Sequence, residues 1–156
     1  MKKLGCCGLL LTLVLGAQKS SRPNLSGVWD LVLDKSDFGK MPSPRSVLNI
    51  IEHKEPFIQI NSTLVLPQGK YTALLKYRST GARDANDSYG TNMNSWSKWF
   101  GNEFVIEGEV VAGNKFVRFK ERWSLADGGK TLINNRIMYL PAGEVPQKLV
   151  FAKKAP

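Results

Sequence analysis

The stretch FVIEGEVVAGNKFVRFKERWSL, residues 104–125, carries the clearest structural signal in the chain. It divides into two runs, Phe104–Ala112 and Lys115–Leu125, joined at Gly113-Asn114, a two-residue hairpin signal between β-prone segments. In the second run Phe119 and Trp123 share one face by period-two alternation, and Arg118, Lys120 and Arg122 share the other. One face is apolar and the other charged, as expected of an antiparallel strand wetted on one side.

The same reading extends in both directions. Towards the N-terminus, alternation predicts strands over Val28–Leu33, Ser46–Glu52, Phe57–Leu66, Tyr71–Arg78 and Ser95–Phe100; towards the C-terminus, over Thr131–Leu140 and Lys148–Lys153. Residues 34–46 read as a loop because Pro42 and Pro44 cannot donate to a ladder. Thr80–Asn94, rich in Gly, Asn, Asp and Ser, reads as the longest interruption. That gives about nine strands and no helical period, and so an antiparallel sandwich or barrel. Closure into a barrel would remove the unpaired edges through which an exported sheet aggregates.

The chain begins with Lys2-Lys3, an apolar run over 4–17 and a polar stretch over 18–23, the pattern of a secretory signal peptide. The apolar run is shorter than the roughly 20 residues that cross a bilayer as a helix. We therefore expect a leader over 1–17 cleaved near Ala17, a linker over 18–24, and one domain over 25–154, secreted or periplasmic. Both cysteines, Cys6 and Cys7, fall in the leader. The mature chain of about 139 residues then has no thiol chemistry or disulfide, and is large enough to be held by its core. Of 22 basic residues, loss of Lys2 and Lys3 leaves 20 against 13 acidic, a net charge of +7. This charge is scattered and suits a soluble surface, with association to an anionic envelope or membrane surface as its one suggested use.

Catalytic patterns are thin. Asp37-Phe38-Gly39 lacks every other kinase element, and Gly128-Gly129-Lys130-Thr131 lacks the earlier glycine and the helix of a phosphate loop. His53, the only histidine, reads as part of an exposed turn, and no ligand set for a metal accompanies it. Glu107, Glu109 and Glu121 beside Arg118, Lys120 and Arg122 read as a solvated cross-strand charge ladder. In the Arg118–Trp123 stretch, rings and cations fall on opposite faces, so no nucleic-acid partner is expected. Sequons at Asn24, Asn61 and Asn86 matter only in a eukaryotic host.

Leu25-Ser26-Gly27-Val28-Trp29 resembles the Gly-x-Trp signature that opens the first strand of lipocalins and related calycin barrels. The later order is similar to small exported lipocalin-like proteins of environmental bacteria, families mostly of unknown function. It comprises Asp34–Gly39, a Pro-rich loop, a mid-chain Trp before a Gly turn, and Arg122-Trp123-Ser124-Leu125-Ala126-Asp127-Gly128-Gly129-Lys130-Thr131-Leu132. The resemblance implies an all-β, antiparallel up-and-down barrel of about eight to nine strands. It further implies that Trp29 closes one end with a late-strand arginine across its ring, for which Arg136 is the first candidate and Arg122 the second. Unlike the better-known lipocalins, the chain has no disulfides and no evident C-terminal helix.

The function expected on these grounds is that of a monomeric, non-enzymatic, cofactor-free exported protein that binds a small, largely apolar molecule. Candidate lining residues are Ile58, Ile60, Tyr71, Leu75, Tyr77, Phe104, Ile106 and Phe119. The alternatives are a cavity-less envelope module acting through the outer stripe of Arg118, Lys120 and Arg122 with a mobile loop at Gly81–Asn94, and an isomerase or cyclase using an inward Arg136 or Tyr77.

Overall fold

A computed structural model describes residues 22–155; the expected leader and its two cysteines lie outside them. Ten strands follow one another, joined by short turns except for the longer β1–β2 connection over residues 32–45. β1 spans Gly27–Leu31, β2 Ser46–Lys54, β3 Phe57–Leu66, β4 Gly69–Arg78 and β5 Thr80–Ser88. β6 spans Thr91–Phe100, β7 Glu103–Ala112, β8 Lys115–Ala126, β9 Thr131–Leu140 and β10 Gly143–Lys153. They form one antiparallel sheet in the order β4-β3-β2-β1-β10-β9-β8-β7-β6-β5, whose two edge strands lie against each other. The result is a nearly closed barrel. The quoted hairpin is β7–β8, with Gly113 at φ 63°, a left-handed conformation in which a side chain is strained.

Thr80–Asn94 is not a loop: it supplies β5, a tight turn at Tyr89-Gly90 and the first part of β6, which raises the count to ten. The polar composition has a physical use. β5 forms no backbone ladder with β4, and its side chains bridge the gap instead. Asn86 accepts from the Lys76 amide (2.7 Å) and donates to the Lys76 carbonyl (3.0 Å). Two residues earlier on the same face, Asp84 accepts from the Arg78 amide (2.8 Å) and from Arg78 Nε (2.6 Å). Ser97 of β6 also donates to the Arg78 carbonyl (2.9 Å). Seam residues that mimic a missing strand partner must be polar, which is why they read as a loop.

Replacing Asn86 by Ala is expected to cost about 1–2 kcal/mol, since it removes a two-point link between backbone groups that have no ladder partner. Hydrogen exchange provides the check. The Lys76 amide should exchange faster in N86A, and unchanged protection would show that Asn86 does not hold the seam.

One end of the barrel is filled. Trp29, fully buried, donates from Nε1 to the Leu25 carbonyl (2.9 Å). Lys153 Nζ lies 5.2 Å from the Trp29 ring centre, a favourable cation–ring placement. This corrects the expected Arg136–Trp29 pairing. Trp29 faces Lys153 in the β1–β10 register, whereas Arg136 lies opposite Glu121 and Gln147 on the strands beside it. Gly27 makes the approach possible, because a Cβ there would sit 2.5 Å from Lys153 Cε. The Gly-x-Trp pattern is thus a steric device, the glycine leaving room for the lysine stem that crosses the ring.

Above Trp29, Phe104 packs against Trp99 (5.2 Å between ring centres) and edge-on to Tyr77 (6.4 Å), with Ile58 and Ile106 in the same buried cluster. Burial of each such side chain contributes roughly 1.5–3 kcal/mol.

His53 also departs from the sequence reading. It lies in β2 with a side chain only 5% exposed, stacked on Trp99 at 5.8 Å. Its Nδ1 accepts from the Leu25 amide (3.2 Å), so Nε2 carries the proton donated to Glu55 (2.9 Å). Burial pushes the Glu55 carboxyl up, but hydrogen bonds from Ser79, His53 and Trp99 outweigh it and hold the pKa below the usual value.

Candidate functional site

The other half of the barrel is hollow. A cavity of about 370 Å³ lies between Tyr77, Phe119 and Trp123 below and a strap formed by the β1–β2 connection above. Its wall is mostly apolar and includes Leu31, Val47, Ile60, Leu64, Leu75, Met93, Val110, Met138 and Phe151. Phe38, Met41, Pro42 and Pro44 of the strap complete it. Gly108 helps shape the wall: a Cβ there would come within 2.5 Å of the Phe119 ring and 2.8 Å of the Asn94 carbonyl. With no side chain at 108, the ring can lie flat against β7.

The strap is fastened, not draped. The Asp37 amide donates to the Lys148 carbonyl (2.7 Å), and the Lys148 amide donates back (2.8 Å). Gln147 Nε2 donates to the Phe38 carbonyl (2.9 Å), and the Val150 amide donates to Ser36 Oγ (3.0 Å). Gly39 sits at φ 58°, where a Cβ would meet the Pro146 carbonyl at 2.6 Å. Asp37-Phe38-Gly39 is therefore a structural turn, in which the Asp37 carboxylate accepts from the Gly39 amide (2.8 Å).

Two polar groups interrupt the apolar wall. In the first, Glu121, 5% exposed, accepts from Trp123 Nε1 (2.6 Å) and Asn134 Nδ2 (3.0 Å) on Oε2 and from Arg136 Nε (2.7 Å) on Oε1, with Arg136 Nη2 in an ion pair 2.6 Å from the same oxygen. In the second, Ser62 Oγ donates to Asn49 Oδ1 (2.6 Å) and lies 2.6 Å from the Tyr89 hydroxyl. Ser62 has a single proton, so Tyr89 is the donor in the latter bond. Burial, then the Glu121 charge, pushes the Tyr77 phenol well above its usual pKa, and burial raises that of Tyr89. Both hydroxyls stay protonated at neutral pH.

Of the residues expected to line a cavity, Ile60, Leu75, Tyr77 and Phe119 do so. Ile58, Phe104 and Ile106 belong instead to the filled half, and Tyr71, nearer the rim, is 37% exposed. Alternation gave the correct face for most of these, but it carries no information on height along the barrel axis.

Glu121 is not part of an outer ladder, as its sequence neighbours suggest, but is buried on the cavity wall. It shares the inward parity of Phe119 and Trp123, and that parity was the signal that could have found it. The actual ladder runs from Lys120 to Glu107 (2.7 Å) and from Arg122 to Glu103 (2.7 Å), so two of the three cations of the outer stripe are paired. The proposed mobile loop at Gly81–Asn94 is the β5–β6 hairpin. Among the described residues, no group of three His, Cys, Asp or Glu side chains is placed to hold a metal.

A nearly closed antiparallel barrel of ten strands, hollow at one end and plugged by a tryptophan at the other, is a calycin-type fold. Solved structures share this fold. The chain is similar to a zebrafish ileal bile acid-binding protein complexed with cholic acid (TM-score 0.58, 10% identity, 83% of this chain and 98% of that one). It is also similar to a secretory abundant heat soluble protein from Ramazzottius varieornatus (TM-score 0.59, 12% identity, 83% and 94%). At these identities the likeness is one of fold. By sequence, no family model and no curated protein matches the chain.

Proposed function

We propose that the protein is an exported, non-enzymatic carrier that holds one small, largely apolar molecule in the barrel. The observation that carries this reading is the cavity of about 370 Å³, apolar on most of its wall and interrupted by a few buried polar groups. Ligand pockets commonly have this size and this make-up. The signal-peptide pattern over 1–17, a basic start followed by an apolar run over 4–17, supports export. The bile acid-binding neighbour supports ligand uptake by a barrel of this shape. Tyr77 and Arg136 do face the cavity, but Glu121 occupies the arginine, which speaks against its acting as a free electrophile.

Titration with Nile red, a neutral apolar dye, provides the test. The dye should bind one-to-one with a blue-shifted emission. Leu75→Trp, which pushes an indole into the void, should weaken binding on the order of tenfold, the equivalent of about 1.4 kcal/mol. Absence of dye binding, or equal binding by a folded L75W, would remove the cavity as the site.

A further inference from the structure

The charges inside the cavity narrow the class of ligand, an inference that rests on the carrier reading. Arg136 is the only cation on the cavity wall among the described residues, and it is ion-paired with Glu121 Oε1, to which its Nε donates. Glu121 in turn is saturated, since Oε2 takes Trp123 and Asn134. The pair therefore has no net charge and a saturated carboxylate; Arg136 keeps spare N–H donors, but its charge is already compensated.

A carboxylate entering this space would bring an anion into an apolar enclosure with no free counter-charge. It could share the N–H donors that Arg136 keeps, but to gain that residue's charge it would have to displace Glu121, leaving a second buried anion unpaired. Burying an unpaired charge costs far more than burying a neutral polar group that finds a partner. The remaining polar wall favours a hydroxyl. Tyr89 uses its proton on Ser62 and presents only lone pairs, so it lacks a donor. The Tyr77 phenol is protonated, lines the cavity and has no hydrogen-bond partner among the described residues. A hydroxyl can donate to the first and accept from the second; a carboxylate can only accept.

We propose that the internally compensated Glu121–Arg136 pair makes this cavity a site for an uncharged, hydroxyl-bearing apolar molecule and closes it to carboxylates. The selectivity lies in a carboxylate of the protein already occupying the place that an acidic ligand would need.

The experiment compares 1-decanol with decanoate, equal in chain length, as competitors for Nile red on the full chain near neutral pH. Decanol should displace the dye at least about tenfold more tightly than decanoate, a difference of about 1.4 kcal/mol. Glu121→Gln keeps the side-chain shape but frees the guanidinium charge, and should raise decanoate affinity at least about tenfold while changing decanol little. Decanoate binding as tightly as decanol to the unmodified chain would overturn the inference while leaving the carrier reading intact. Failure of the dye itself to bind would overturn both. The comparison on the unmodified chain needs no variant, so a poorly folding E121Q does not remove the test.

Discussion

Trp29→Ala is expected to lower the melting temperature by on the order of 10 °C. The side chain is fully buried and its indole N–H is bonded to the Leu25 carbonyl. Truncating a buried tryptophan costs about 3–5 kcal/mol through lost transfer energy and the cavity left behind, and in a domain of this size each kcal/mol moves the midpoint by about 3 °C. The loss should extend beyond the ring itself, because the Lys153 stem lies over it and Leu25 is anchored beneath. Trp29→Phe retains an aromatic plug but strands the Leu25 carbonyl, so a loss of about 1–2 kcal/mol is expected. Binding of Nile red should survive in both variants, because Trp29 does not line the cavity. Thermal and urea melts check the order. An alanine variant within about 1 kcal/mol of the parent would mean that this end of the barrel is held by something other than the indole.

Glu121→Leu should be nearly as damaging, for an electrostatic reason. It leaves Trp123 Nε1 and Asn134 Nδ2 without their acceptor and Arg136 with an uncompensated charge on a largely apolar wall. Breaking a buried ion pair from one side costs about 3–5 kcal/mol, and the lower figure suits a guanidinium that retains some exposure. The diagnostic variant is the double one. Glu121→Leu with Arg136→Met replaces both charges by apolar side chains and should recover the part of the loss due to the unpaired guanidinium, while the part due to Trp123 Nε1 and Asn134 Nδ2, which stay without an acceptor, remains. Urea denaturation of parent, both single variants and the double variant closes the cycle. If E121L were as stable as the parent, the carboxylate would not be the hub of this network.

What the sequence disclosed and what it withheld follow a physical division. Period-two patterning and hairpin turns report on which face a side chain lies and where the chain reverses, and these sufficed for an antiparallel sandwich or barrel with Phe119 and Trp123 inside; the Gly-x-Trp resemblance chose the barrel. They report poorly on a strand whose partner is bridged by side chains. β5 spends Asp84 and Asn86 on the backbone of β4, so its polar residues look like those of a loop. Height along the axis is invisible to parity, which is why Ile60 and Ile58, two residues apart on one face, line the void and the filled half respectively. Glu121 was hidden by company rather than by pattern: its basic sequence neighbours suggested a wet ladder, although its own parity pointed inward. Lys153 over Trp29 depended on a register between the first and last strands that no local window contains.

That same register has a kinetic consequence. Every ladder in the sheet joins strands adjacent in sequence except the β1–β10 pair. Hairpins can zip in order as the chain emerges, each at the entropic expense of a short turn. Direct closure of a loop of about 120 residues costs about 3 kcal/mol more than closing a turn of about four. A polypeptide delivered N-terminus first would therefore grow as an open meander and become a cylinder only when its tenth strand arrives beside its first.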